Sequence, residues 1–374
     1  MPKQTRKKGS GKGGEMENPQ INEKSTRKIK STGKQTMRCH PSVLNKTVNA
    51  NSCLTPSVLS KIKQKYNEKH PEKPLLAKSP KKLYYEISQR FAESCKEEKC
   101  WIRQLLQENE LKHLYRPTSP ADWKKNPVEW LSNFDIEDVM NQYEQTYPEF
   151  EFLGPVPIDF DKRSVKSDNS TCVSRDVCSF HLAEKLKKGK TKIGIVFNLS
   201  PSTSSGSHWV SLYVHLPNIL PRTKSKPTGG KKENESSDWN EHTAYCFFFD
   251  SAGESAPKEV EELVKRLQEE WKTNQTINTG NTEMMYDCNH RTGADHQQGN
   301  TECGVYSLFF LITMLTGKCA GGVMESENCA LSLNTEQEKV LYFQGKTINS
   351  HGEKIMIPDD FMIKLRKHYF NPPP

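Results

Sequence analysis

HQQGNTECGVYSLFFLITML, residues 296–315, is the stretch that decides the fold. A polar segment containing glycine ends at Cys303 and Gly304, and the chain is then apolar for three helical turns. Phe310 and Leu311 add apolar side chains outside the main stripe, so the helix is apolar on nearly all sides. Such a helix is typical of a protein core. The main stripe consists of Val305, Leu308, Phe309, Ile312 and Leu315.

Cys303 is expected in the first turn of this helix. Free backbone N–H groups and the helix dipole favour an anion there, so the thiol should ionise readily to the nucleophilic thiolate. A cysteine by itself is more often a small buried hydrophobe. Three further residues change that interpretation: His208 on a strand-like run, Asp250 at the end of another, and Gln297 shortly before the cysteine. Together with Cys303 they supply the nucleophile, base, orienting carboxylate and oxyanion donor of a cysteine protease.

Charge is distributed unevenly along the 374 residues. Residues 1–34 hold ten Lys or Arg against three Glu, which accounts for most of the net charge of +8. We therefore predict that residues 1–38 form a disordered basic tail. No apolar run is long enough for a membrane span, and no signal peptide is evident, so no membrane association is expected. An odd count of eleven cysteines favours a reducing, intracellular setting, and their spacing predicts no metal site.

The chain before the catalytic region divides into two expected parts. Residues 39–115 predict a helical arm or small domain, with helices from Pro56 to Tyr66, from Pro80 and from Glu97 through Leu114. Residues 116–127 are rich in proline and lysine and predict a linker. The arm has no recognisable catalytic pattern, so a scaffolding role is favoured over substrate or partner binding.

Residues 128–374 predict the catalytic domain. A helix is expected from Ile136 to Tyr147, followed by an edge strand within residues 150–160. Residues 217–242 are polar and form a predicted surface insertion. The predicted fold class is α+β, with a central mixed sheet flanked by helices and Cys303 at the start of a buried helix. The other expected strands are 192–199, 208–216, 244–250, 284–287 and 340–343, and the other helices are 180–186, 260–271 and 359–369.

The order His208, Asp250, Gln297, Cys303 resembles that of the ubiquitin-like-protein-specific proteases and the adenovirus protease. Papain-like enzymes have the opposite order, with Cys before His. Within this group, the amino-acid sequence is most similar to those of the proteases of large nucleocytoplasmic DNA viruses, over roughly residues 130–371. The segments that carry this resemblance are WLSNFDIEDVMNQYE, FEFLGPVPIDFD, SHWVSLYV, FFFDSAG, HQQGNTECGVYSLFF and RKHYFNP.

The resemblance implies a role for each residue. Cys303 would attack the scissile carbonyl, and His208 would take the thiol proton and return one to the leaving amine. Asp250 would orient the imidazole, and Gln297 would donate its side-chain amide to the oxyanion. Trp130 and Trp209 match the two tryptophans that form a narrow tunnel over a Gly-Gly substrate end. Flat aromatic walls admit glycine and exclude a Cβ.

Three features depart from the cellular members of this family. His208 and Asp250 are 42 residues apart, an interval that the polar insertion explains. Glu302 and Asn133 stand where cellular members usually have Asp, which favours the viral branch. Other residues are weaker candidates for the catalytic roles. His242 and His296 do not lie on strand-like runs, and Cys288 is not followed by an apolar helix.

These observations predict a cysteine endopeptidase that cleaves after Gly-Gly and matures viral structural polyproteins, in the virion and the host cytoplasm. The alternatives are a deconjugase that removes SUMO or another ubiquitin-like modifier from host proteins, and an inactive scaffold that binds modifiers or virion proteins. No cofactor is required. The basic tail suggests contact with DNA, which could stimulate activity, since Lys and Arg bind phosphates without a fold; titrating tail-deleted protein with DNA tests this.

Overall fold

A computed structural model of the chain describes residues 39–95, 97–163, 172–217, 242–280, 282–319, 332–348 and 351–372. The basic tail expected for residues 1–38 lies outside these ranges, and so does nearly all of the insertion expected at 217–242. The described residues all belong to one compact unit. No helix among the described residues is both long enough and apolar enough to cross a bilayer.

Five strands form one mixed sheet in the order in which they occur in the sequence. The first two strands pair in parallel, the second and third are antiparallel, the third and fourth are antiparallel, and the last two are parallel. This arrangement confirms the predicted α+β fold with a central mixed sheet. The strands are β1 Phe150–Pro157, β2 Lys192–Asn198, β3 Trp209–His215, β4 Tyr245–Phe249 and β5 Met285–Cys288.

Alternation of side chains along the strands separates two cores. Tyr213 and Phe247 point to the face covered by the 303–316 helix, whereas their neighbours Leu212 and Phe248 point to the opposite face. This period of two follows from strand geometry. Both faces are apolar, which is why β3 and β4 are buried along their whole length. The helices of the catalytic region are α5 Asn133–Thr146, α6 Arg175–Cys178, α7 Leu182–Lys187, α8 Lys258–Thr273, α9 Cys303–Thr316, α10 Glu336–Phe343 and α11 Asp359–Tyr369.

Residues 39–115 have a hydrophobic core of their own. The expected single helix from Glu97 to Leu114 is wrong, because the chain is extended at Leu106. An uninterrupted helix would turn Leu111 about 120° away from Leu105. The break brings both leucines back to the core of the arm. The arm helices are α1 Pro56–Lys69, α2 Pro80–Arg90, α3 Glu98–Leu105 and α4 Glu108–Lys112.

The strand expected at residues 340–343 is also wrong, because these residues form the last turns of α10. The helix begins at a capping box in which Thr335 and Glu338 satisfy each other's backbone N–H groups. The pattern Thr-x-x-Glu before an apolar run signals a helix start. The short apolar run VLYF alone fits either structure, and the capping signal decides between them.

Residues 116–127, the expected linker, are packed against the end of the chain. Ser119 donates its backbone N–H to Asn371, which in turn donates to Pro117, at 2.8 and 2.7 Å. A short 3₁₀ helix follows at Ala121–Lys124. The C-terminal residues therefore hold the connection between the arm and the catalytic region in one place.

Seven cysteines of the described ranges, Cys319 among them, are disulfide-bonded, which the reducing setting inferred from the sequence did not anticipate. Among the described residues, disulfides join Cys39 to Cys53, Cys95 to Cys100, and Cys172 to Cys178. Each pair is brought close by a short loop, with Cα atoms 5.2 to 6.6 Å apart, within the reach of a disulfide. The free cysteines of the described ranges are Cys246, Cys288 and Cys303.

Candidate active site

Cys303 is the first residue of α9 and is almost completely buried. The backbone N–H groups of this first helical turn have no intrahelical acceptor, so they provide a positive environment for the sulfur. Gly304 follows because a Cβ there would meet the Cβ of Leu131 at 3.0 Å. The absence of a side chain thus lets the start of the helix pass close to the 130–132 segment.

His208 lies directly before β3, and Asp250 lies directly after β4. Because β3 and β4 are antiparallel neighbours, their adjoining ends place the two residues together. The imidazole Nε2 is 2.7 Å from Asp250 Oδ1. The other ring nitrogen remains for Cys303, whose side chain interacts with His208 closely enough to raise the pKa of the imidazole. The sheet topology therefore assembles cysteine, histidine and aspartate from three separate parts of the sequence.

Two competing effects set the pKa of His208. Burial alone lowers it, but the hydrogen bond to Asp250 and the interaction with Cys303 raise the pKa to about 10. The carboxylate of Asp250 is buried and also accepts the backbone N–H of Ala252 at 2.9 Å. The imidazolium form of His208 is therefore favoured at neutral pH.

The proton on His208 yields a prediction for pH dependence. An unfolded histidine has a pKa of about 6.5, so the interaction stabilises the fold fully below that pH and is lost as the pH rises through about 10. In Asp250→Asn the pKa of His208 should fall by at least one unit or so, because one pKa-raising partner is lost. Side-chain ¹⁵N NMR titration of His208 measures this. Equal titration midpoints in both proteins would contradict the geometry.

Gln297 is held in the loop before Cys303. Ser251 donates its hydroxyl to Gln297 Oε1 at 2.7 Å, and Gln297 Nε2 donates to the carbonyl of Gly299 at 2.9 Å. An amide nitrogen carries two hydrogens, so one remains for another acceptor. The backbone N–H of Gln297 also donates to Ser251, at 2.8 Å. These contacts fix the side-chain amide, so that it needs no reorganisation to bind a further oxygen.

Trp130 and Trp209 line a groove of about 560 Å³. Trp209 is buried, and its indole N–H donates to the carbonyl of Leu131 at 3.0 Å. Trp130 is 38% exposed. None of the described residues that line the groove is charged. The rest of the lining is Leu131, Ser132, Asn133, Pro155, Val156, Pro157, Asn198, Ser200, Pro201, Ser202, Ser204 and Gly206.

Sequence reasoning missed the residues that support this site. Asn289 is fully buried, accepts the N–H of Asp250 at 3.0 Å and donates to its carbonyl at 2.6 Å. Asp359, at the start of α11, accepts the N–H groups of Gln298 and Gly299 at 3.1 and 2.7 Å. Both residues are polar and far from their partners in sequence, so only an observed contact reveals them.

A buried ion pair lies next to the nucleophile. Arg366 of α11 donates from Nε to Glu302 at 2.7 Å, and also to the carbonyls of Thr301 and Glu129. The guanidinium carbon lies 4.8 Å from the ring centroid of Trp123. Arg366 thus ties the residue before Cys303 to the residue before Trp130.

The rival residues have other surroundings. His296 is buried; its Nε2 lies 3.0 Å from the carbonyl of Phe343, and burial lowers its pKa. Cys288 is buried in the core opposite α9, and His242 lies in a turn. The histidine that meets the Cys303 side chain is His208. No cluster of three or more potential metal ligands occurs in the described part of the chain.

The mixed sheet and the cysteine at the start of a buried helix characterise a cysteine-type peptidase, and comparisons with known proteins support that class. Residues 163–325 match the model of the Ulp1 protease family, C-terminal catalytic domain. The matched range includes His208, Asp250, Gln297 and Cys303 but not Trp130.

Similar proteins come from large DNA viruses. The putative thiol protease R355 of Acanthamoeba polyphaga mimivirus is 26% identical over 291 residues, covering 75% of this chain and 80% of the relative. A cysteine protease of African swine fever virus (strain Badajoz 1971 Vero-adapted) is 24% identical over 200 residues, covering 51% of this chain and 60% of the relative. A crystal structure of the African swine fever virus protease superposes with a TM-score of 0.50 at 18% identity, covering 90% of this chain and 96% of the other, a likeness of fold.

Proposed function

We propose that this chain is an endopeptidase that cleaves after Gly-Gly, with Cys303 as nucleophile. The observation that supports this best is the contact of His208 with both Asp250 and the side chain of Cys303 at the start of α9. A nucleophile, a base and a group that orients the base form one connected set there.

In the proposed reaction, the proton of the Cys303 thiol already resides on His208 as the imidazolium, and the sulfur attacks the scissile carbonyl carbon. The tetrahedral intermediate collapses as the imidazolium donates its proton to the departing amine, which leaves a thioester. His208, now neutral, takes a proton from water, and the resulting hydroxide attacks the thioester. The thiol and a carboxylic acid are released. Asp250 keeps the imidazole oriented and stabilises its charged form.

The negative oxygen of the intermediate needs donors that are already in place. We assign this role to the second amide hydrogen of Gln297 together with the backbone N–H of Cys303. The contacts of Gln297 with Ser251 and Gly299 support the assignment, because they restrict rotation of the amide before substrate binds. A fixed donor needs no reorganisation during the reaction.

The groove supports glycine specificity. The indole of Trp209 is fixed by a hydrogen bond to Leu131, and Trp130 also lines the groove. Flat rings leave little room for a Cβ between them. Since the lining carries no charge, a charged substrate side chain in the groove would lose water without gaining an ion pair. We therefore infer a preference for neutral residues before the Gly-Gly pair.

A peptide series tests this specificity. Replacing the glycine before the scissile bond by alanine should lower kcat/KM by about 10- to 200-fold, the discrimination that one methyl group commonly gives. Trp130→Ala should reduce this difference in kcat/KM between the glycine and the alanine peptide, because one of the two lining indoles is removed. Phe134→Ala is the matched control, since Phe134 is exposed on the same segment but does not line the groove. Equal rates for the glycine and alanine peptides would refute Gly-Gly selection.

The similarity to viral proteases supports a viral polyprotein as the substrate. A second candidate, removal of a SUMO-like modifier, is favoured by the name SUMO-1 cysteine protease given to several of the African swine fever virus relatives. Fluorogenic SUMO and ubiquitin substrates compared with Gly-Gly peptides from virion polyproteins distinguish the two. Faster turnover of the modifier by tenfold or more, about 1.4 kcal/mol, would favour the second candidate.

A further inference from the structure

A second cavity, of about 410 Å³, lies where the arm meets α5, and it shares no lining residue with the substrate groove. Its volume falls within the range of about 300 to 1,000 Å³ found for small-molecule sites. Neither the peptidase chemistry nor the resemblance to proteases uses it. The lining consists of Lys99, Arg103, Glu108, Leu111, Lys112, Tyr115, Arg116, Pro117, Thr118, Asp138, Asn141, Gln142 and Gln145.

Arg116 is the most unusual residue of this cavity, because it is only 2% exposed and has no carboxylate partner in the described part of the chain. Its Nη2 donates to the hydroxyl of Tyr143 at 3.1 Å, and the guanidinium lies 5.1 Å from that ring's centroid. Its Nη1 has no hydrogen-bond partner among the described residues. A buried cation without an anion is costly, and proteins normally pair it.

The remaining charges of the cavity favour an anion. Four cations line it, and only two carboxylates, Glu108 and Asp138, belong to its described lining. Glu108 is already 3.4 Å from Arg103. Burial and the nearby Arg103 lower the pKa of Lys99, which is the effect expected where positive charges crowd together. An excess of two positive charges matches the charge of one phosphate group.

Gln142 indicates that the ligand also needs a hydrogen-bond donor. Its Nε2 donates to the carbonyl of Tyr115 at 2.9 Å, but its buried Oε1 accepts no hydrogen bond from the described residues. A ligand that satisfies this cavity therefore carries a donor as well as an anion. Phosphate suits Arg116 because its oxygens can accept two parallel bonds from a guanidinium.

We propose that this cavity binds a small phosphate-bearing molecule that also carries hydroxyl groups, such as a sugar phosphate. The phosphate contacts Arg116 and the lysines Lys99 and Lys112, and a hydroxyl donates to Gln142. Binding requires a small shift of the side chains that cover Nη1 and Oε1. The ligand stabilises the junction of the arm with α5, because it binds the folded chain. The proposal does not depend on the peptidase reaction.

Isothermal titration of the full-length protein with ribose 5-phosphate, at fixed ionic strength, tests the proposal. We expect saturable binding, about tenfold or more weaker in Lys99→Gln/Lys112→Gln, since hydrogen bonds to ionised groups are the strong ones. The control Lys258→Gln/Lys265→Gln removes the same charge from exposed positions on α8 and should bind like the wild type. Arg116→Lys keeps the positive charge but loses the planar guanidinium that can donate two parallel hydrogen bonds, so it should also bind more weakly.

Three outcomes would overturn the proposal in whole or in part. If millimolar ribose 5-phosphate gave neither a heat of binding nor thermal stabilisation, the proposal that this cavity binds such a ligand would be rejected. Equal weakening in both double lysine variants would assign the binding to general charge rather than to this cavity. Equal affinities for inorganic phosphate and ribose 5-phosphate would remove the hydroxyl contact with Gln142. If Arg116→Lys does not fold, the lysine pair still decides the question.

Discussion

Replacing Cys303 by alanine should abolish hydrolysis of a Gly-Gly peptide, with kcat reduced by about 10⁴-fold or more. The physical reason is that no other described thiol is placed at a helix start beside a histidine. The fold should survive, because alanine removes only the sulfur from a buried position in the first helical turn. Initial rates, together with the thermal midpoint of the variant, measure both effects.

Cys288→Ala is the matched control for this substitution. Cys288 is also free and buried, but it lies in the core on the opposite side of the sheet, at the end of β5. We expect activity close to that of the wild type. A peptide electrophile ending in Gly-Gly should label wild-type protein and Cys288→Ala equally, and should not label Cys303→Ala. Hydrolysis retained by Cys303→Ala would reject the proposed nucleophile.

The sequence was sufficient for the features that have a local pattern. An apolar helix that begins at Cys303 and the apolar run before Asp250 predicted buried elements, and both are observed. The His208–Asp250 contact depends on the antiparallel pairing of β3 with β4, which the sequence analysis did not predict. The catalytic roles themselves came from the resemblance, and they stay predictions until the variants are measured.

The features that were predicted wrongly from the sequence depend on contacts between distant residues or on a competing local signal. The helix break at Leu106 serves packing of Leu111, which helical periodicity cannot anticipate. The Thr335–Glu338 capping box was present in the sequence, but an apolar run of four residues fits a strand as well as a helix. Cysteine spacing likewise does not reveal which thiols meet in the fold.

Arg366 illustrates the same limit most clearly, because its partner Glu302 is 64 residues away. Basic residues near the end of a helix are usually interpreted as favourable for the helix dipole. Here the arginine is 2% exposed and is surrounded by a carboxylate, backbone carbonyls and an indole ring. Nothing in the local sequence separates this buried arginine from its neighbour Lys367.

Arg366→Met should destabilise the protein by about 3–5 kcal/mol, because it leaves Glu302 buried without its cation. Chemical denaturation measures the loss, and Lys367→Met, on the same helix, is the control. The double variant Glu302→Gln/Arg366→Met should recover part of the stability, since no unpaired charge remains. If the pair also positions the nucleophile, the double variant should still show a lower kcat than the wild type, with KM little changed. A double variant with wild-type kcat would show that the ion pair contributes to stability but does not position the nucleophile. An Arg366→Met protein as stable as the wild type would contradict the expected cost of leaving Glu302 buried without its cation.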